Sequence, residues 1–126
     1  MSDLTFTLPW PPSSLSPNTR QHWAKLAQAK RSYRSGCYLT AVAQNARRID
    51  ADRLKVCLEF VPPTRRKYDL DNLLARMKSG LDGVADVLGV DDSRWEMAIR
   101  RSEQPKAPGC VIVTVTVTVF GQEQNP

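Results

Sequence analysis

Residues 70–92, LDNLLARMKSGLDGVADVLGVDD, decide how this chain folds. Leu70, Leu73, Leu74, Met77, Leu81, Val84, Ala85 and Leu88 recur at steps of three and four, the period of one buried helix face. The spacing predicts an amphipathic helix of about 18 residues, roughly 27 Å long if straight, with Gly89 as its C-terminal cap. A helix of that length between two aspartate pairs sets the central question of the chain.

On either side the periodicity changes to two. Residues 4–8, Leu-Thr-Phe-Thr-Leu, alternate as a short strand and stop at Pro9-Trp10-Pro11-Pro12. Residues 54–60 alternate again and end at Pro62-Pro63. Trp95 to Arg101 read as a further strand, and residues 104–109 as a turn. Val111, Val113, Val115, Val117 and Val119 then share one face of a last strand, with Thr114, Thr116 and Thr118 on the other. Trp23 to Arg48, rich in Ala, Gln, Lys and Arg and free of proline, read as a basic helix whose apolar stripe is weak. The order strand, helix, strand, helix, strand, strand predicts an α+β domain spanning 1–126, with two main helices on a mixed or antiparallel sheet. Residues 121–126 read as a tail outside that fold.

Composition removes several function classes. The 126 residues suffice for one core, and no apolar run reaches the roughly 20 residues of a membrane helix. The first residues, Met-Ser-Asp-Leu-Thr, lack the basic and apolar regions of a signal peptide, which predicts a cytoplasmic protein. Cys37, Cys57 and Cys110 are too scattered for a zinc site or a disulfide framework. His22 is the only histidine, which leaves little for a histidine metal cluster or a catalytic triad; it reads first as a satisfied loop residue and second as a lone general base.

The net charge of +5 is unevenly spread. Residues 1–68 carry twelve Lys/Arg against four Asp/Glu, whereas residues 69–92 carry six Asp against two Lys/Arg. Basic surface attracts a polyanion, and a carboxylate cluster holds divalent cations, as phosphodiester cleavage needs. Charge alone does not separate this from a solvated basic surface with helix-capping acids.

The acidic island begins with Asp69-Leu70-Asp71-Asn72, directly after Arg65-Arg66-Lys67. One aspartate there is explained as a helix cap. Two at i and i+2 on an extended lead-in can point to one side and supply the hard oxygen ligands of Mg²⁺. A third comes from Asp91 or Asp92, at the far end of the predicted helix. A single-chain site then requires the helix to break near Gly80 or Gly83, the loop to fold back, or a second subunit to contribute. At 100° per residue Asp71, Ala75, Lys78 and Asp82 share a helix face. Lys78 there offers a cation to developing phosphate charge, or pairs with Asp82 at i+4.

Residues 65–73, with Leu81-Asp82-Gly83-Val84, Val90-Asp91-Asp92-Ser93 and the opening Leu8-Pro9-Trp10-Pro11-Pro12-Ser13, resemble the RusA-like crossover junction endodeoxyribonucleases of bacteria and their phages. The resemblance covers most of the chain. It implies a homodimer that binds four-way (Holliday) junctions and nicks opposed strands with Mg²⁺ or Mn²⁺ during recombination and repair. It assigns Asp69 and Asp71 as the first two metal aspartates and Asp92 as the third. The family's lysine four residues after the second aspartate is Ala75 here, with Lys78 one turn further on. Lys25, Lys30, Arg31, Arg34, Arg65, Arg66 and Lys67 are the expected phosphate contacts. The competing expectations are a branched-DNA binder without catalysis and, behind it, a protein-interaction module.

Overall fold

In the computed structural model residues 3–18 and 20–117 are described. Strand β1 (Leu4–Pro9) leads through a 3-10 turn (Ser13–Leu15) to helix α1 (Trp23–Ala43). Strand β2 (Leu54–Val61) is followed by helices α2 (Leu70–Arg76) and α3 (Lys78–Leu88). A second 3-10 turn (Asp92–Arg94) opens strand β3 (Trp95–Arg101), and β4 (Cys110–Val117) closes the sheet. The architecture is α+β, as the periodicity predicts. The far end of the last predicted strand, Thr118 and Val119, and the predicted tail at 121–126 lie outside the described residues.

The sheet is mixed, in the order β1-β4-β2-β3. β4 pairs antiparallel with β1 (Phe6 opposite Val113) and with β2 (Leu58 opposite Val113), while β2 and β3 run parallel (Leu58 opposite Ile99). A parallel pair needs a crossover, and α2 with α3 is that crossover. Asp69 therefore follows the C-terminal end of β2, and Asp92 precedes the N-terminal end of β3. The alternation places Phe6, Leu8, Leu54, Val56, Leu58, Phe60, Val111, Val113 and Val115 in one core with Tyr33, Cys37, Leu73, Met77, Leu81 and Val84 of the helices.

Two expectations need correction. Helix α1 ends at Ala43, five residues before Arg48. Its C-cap Gln44 turns its amide to the free edge of β1, accepting from Thr7 N–H at 2.8 Å and donating to Thr7 C=O at 2.7 Å. The side chain acts as a substitute strand partner, and Asn45 reverses the chain with φ of 71°. The second helical stretch is not continuous, and it breaks at Met77 rather than at Gly80 or Gly83. Met77 N–H is shared between the Leu73 and Leu74 carbonyls, a local 3-10 tightening. Met77 itself is fully buried, and its sulfur accepts the Tyr33 hydroxyl at 3.2 Å. Both glycines instead let α1 approach α3. A Cβ on Gly80 would lie 2.5 Å from the Tyr33 ring, and one on Gly83 would lie 2.5 Å from the Arg34 carbonyl oxygen.

Candidate functional site

Asp69 is the N-cap of α2, and its Oδ1 accepts the Asp71 N–H at 3.0 Å. The capping role is thus real. It uses one oxygen, and the Asp69 and Asp71 side chains are both exposed at the helix start. Asn72 joins this start to the N-terminal loop: its amide donates to Ser16 Oγ at 3.0 Å, and its Oδ1 accepts from Arg76 Nε at 3.0 Å. Arg76 also reaches the Pro11 carbonyl at 3.4 Å. Burial lowers the pKa of this guanidinium, with Arg66 adding to the effect.

The segment before Asp69 is held from the neighbouring strand. Arg101, the last residue of β3, donates from Nη1 to the Tyr68 carbonyl at 2.7 Å. The Tyr68 ring packs edge-on to Trp10, with centroids 5.3 Å apart, and lies 5.6 Å beneath the Arg66 guanidinium. Arg65, Arg66, Lys67 and Arg101 line a cavity of about 520 Å³ with Leu70, the residue between the two aspartates. The predicted basic tripeptide therefore opens beside the Asp69–Asp71 pair, and Arg101 joins it. Sequence reading treated Arg101 only as a strand end, because nothing local marks a hydrogen-bond partner 33 residues away in the loop after β2.

At the other end of the crossover, Asp91 caps the 3-10 turn by accepting Ser93 N–H at 3.0 Å. The Ser93 hydrogen bonds hold its carboxyl below the usual range. Trp95 Nε1 donates to the Val90 carbonyl at 3.0 Å and pins this loop to the core. Asp92 Oδ2 accepts from Lys78 Nζ at 3.1 Å. The partner of Lys78 is thus Asp92 rather than the expected Asp82; that hydrogen bond raises the lysine pKa, helped by the charges of Asp92, Asp82 and Asp91. The folded-back loop after α3 brings Asp92 within reach of the Lys78 side chain at the beginning of α3.

The two aspartate pairs do not merge. Among the described residues no three His, Cys, Asp or Glu side chains form a group able to hold an ion. The donors are nevertheless all oxygen, and Mg²⁺ is commonly held by one or two carboxylates with waters and substrate phosphate oxygens. The Asp69–Asp71 pair fits that mode; a closed cage of three aspartates is not formed.

The remaining predicted contacts divide. Lys25 and Arg31 are exposed on α1. Arg34 is engaged with Asp86 at 2.6 Å, a pairing that raises its pKa. Lys30 lines a second cavity, of about 360 Å³, with Ala75, Arg76, Lys78, Ser79 and Asp82. His22 caps α1 by accepting Ala24 N–H at 3.1 Å, which is the structural role expected of a lone histidine. Among the described residues no helix is long and apolar enough to cross a membrane.

This combination defines a small α+β domain with aspartates at both ends of a βαβ crossover and basic cavities beside them. The chain matches no family model. It is similar to an "Uncharacterized protein" of Xylella fastidiosa strain Temecula1, 38% identical over an alignment of 117 residues that covers 89% of this chain and 75% of that protein. The chain belongs to the same family as that protein.

Proposed function

We propose that this protein is a Mg²⁺-dependent endonuclease, RusA-like, that nicks four-way DNA junctions in phage- or prophage-type recombination and repair in the cytoplasm. The observation that carries the reading is the Asp69–Asp71 pair at the start of α2, flanked by the cavity of Arg65, Arg66, Lys67 and Arg101. Phosphate contacts from these side chains, with Lys25, Lys30 and Arg31, position the junction arms by backbone shape. Asp69 and Asp71 would hold Mg²⁺ (Mn²⁺ substituting) together with phosphate oxygens, and Asp92 or Asp91 would join them once substrate or a second copy completes the site. When bound, such an ion activates water and neutralises charge on the leaving oxygen.

Within that reading Asp92 holds Lys78 extended at the beginning of α3, so that its ammonium meets charge developing on the phosphate. Ala75 supplies no charge, and Lys78 takes the role that the family assigns to a lysine there. A homodimer fits the apolar side chains that α1 leaves exposed, Tyr38 at 41%, Leu39 at 64% and Val42 at 45%. The alternative, a branched-DNA binder without catalysis, is favoured by two observations: Asp69 already serves as a cap, and the carboxylates form no group of three among the described residues. A synthetic four-way junction incubated with the protein, with and without Mg²⁺, separates the two. Metal-dependent nicks that Asp71→Asn removes support the nuclease; binding without nicks supports the binder.

A further inference from the structure

The cavity between α1, the Ser13–Leu15 turn and the α2–α3 break shares Lys30 and Lys78 with the junction reading and adds Arg76, Ser79 and an apolar wall that it does not use. Three cations from three elements line it: Lys30 of α1, Arg76 of α2 and Lys78 of α3. Opposing them, Asp82 lines the same cavity and Asp92 is bonded to Lys78. Neither Lys30 nor Arg76 has a carboxylate within ion-pair distance among the described residues. Arg76 is half-buried, and its hydrogen bonds go to neutral acceptors, Asn72 and Pro11. Guanidinium keeps its proton in proteins, so a half-buried arginine with neutral partners is a positive charge awaiting an anion. The cavity wall also includes Ser79, whose Oγ is buried with no hydrogen-bond partner among the described residues. An unsatisfied buried hydroxyl is costly unless something occupies its site. The opposite wall is apolar, formed by Leu15, Pro17 and Leu26.

We infer that this cavity is a single-nucleotide subsite, with the phosphate between Lys30, Arg76 and the Ser79 hydroxyl and the nucleoside against Leu15, Pro17 and Leu26. Its volume of about 360 Å³ falls in the range of small-ligand sites. The inference rests on the nucleic-acid reading above, but not on cleavage or on metal.

The test is a titration of isotope-labelled protein by NMR, without Mg²⁺ and without junction DNA, using thymidine 5′-monophosphate, inorganic phosphate and thymidine as separate probes. The nucleotide is expected to shift the Ala75 and Ser79 amides, the Arg76 Nε–H and the Leu26 amide. Phosphate should move only the polar part of that set and bind more weakly. Lys30→Ala and Ser79→Ala should each weaken nucleotide binding by about tenfold. Ser79→Ala removes an unsatisfied hydroxyl, so it should leave folding intact or improved, which separates binding from stability. Shifts confined to residues 65–67, or an undiminished affinity in a stably folded Ser79→Ala variant, would overturn the subsite. Equal binding of phosphate and nucleotide would overturn its nucleoside wall. Nucleotide binding in a protein that never nicks junctions would retain the subsite while sinking the nuclease.

Discussion

Replacing Lys78 by methionine separates chemistry from stability by size of effect. The Lys78 side chain is 72% exposed and that of Asp92 28%, so their 3.1 Å ion pair sits largely in solvent. Exposed pairs of this kind contribute about 0.2–1 kcal/mol. For a chain of 126 residues that lowers the melting temperature by about 1–5 °C. Loss of a cation aimed at transition-state charge costs about 10²–10³ in rate. Lys78→Met should therefore melt within a few degrees of the parent while nicking a four-way junction at least about a hundredfold more slowly. Single-turnover nicking of a labelled junction, beside a thermal melt of the same sample, measures both. A nicking rate within threefold of the parent would refute the role assigned to Lys78. The pH dependence adds a second check. Asp92 raises the folded-state pKa of Lys78, so the pair is fully present below the unfolded lysine value and is lost only as pH rises past it. No decline in nicking from this lysine is expected between about pH 7 and 10.

Other consequences follow from packing. Gly83→Ala places a Cβ 2.5 Å from the Arg34 carbonyl; the overlap should cost about 1–3 kcal/mol in urea unfolding and outweigh the roughly 1 kcal/mol that alanine gains in a helix. Burial pushes the Cys37 thiol from its ordinary 9.0 up to about 11, so stability is complete below pH 9 and declines by about 2–3 kcal/mol toward pH 11 as the unfolded thiol ionises first. Burial pushes the neighbouring Tyr33 hydroxyl in the same direction, and unfolding melts across that range read the combined loss. Arg101→Leu frees the Tyr68 carbonyl; junction affinity in gel-shift titration should fall about tenfold, with a melting temperature little changed.

Much of the fold was legible because the strands carry a strict period of two and the crossover helices a clean apolar stripe. The α2–α3 break was not, because it contains neither proline nor glycine. At the break Met77 is buried against Tyr33, a contact between residues 44 apart that no local pattern announces. Gly80 and Gly83 drew attention as breakers, but small residues serve equally where two helices touch. The end of α1 was hidden in the same way, since Gln44 is a good helix former that finds a better use on the edge of β1. Of the candidate site, Asp69, Asp71 and the basic loop were visible because they are local in sequence. Arg101 and Arg76 were not; each acquires its place through a tertiary partner. The Lys78–Asp92 pairing also came from tertiary structure, and the i+4 rule pointed to Asp82 instead.

The most direct test of the site is Asp71→Asn assayed for both binding and Mg²⁺-dependent nicking of a synthetic four-way junction. Asparagine keeps the shape at the start of α2 and leaves the Asp69 cap untouched, since that cap uses the residue 71 backbone N–H. The expected result is a junction complex of nearly unchanged affinity with nicking abolished. Nicking at the parent rate would contradict the assignment of the Asp69–Asp71 pair as the centre of the chemistry.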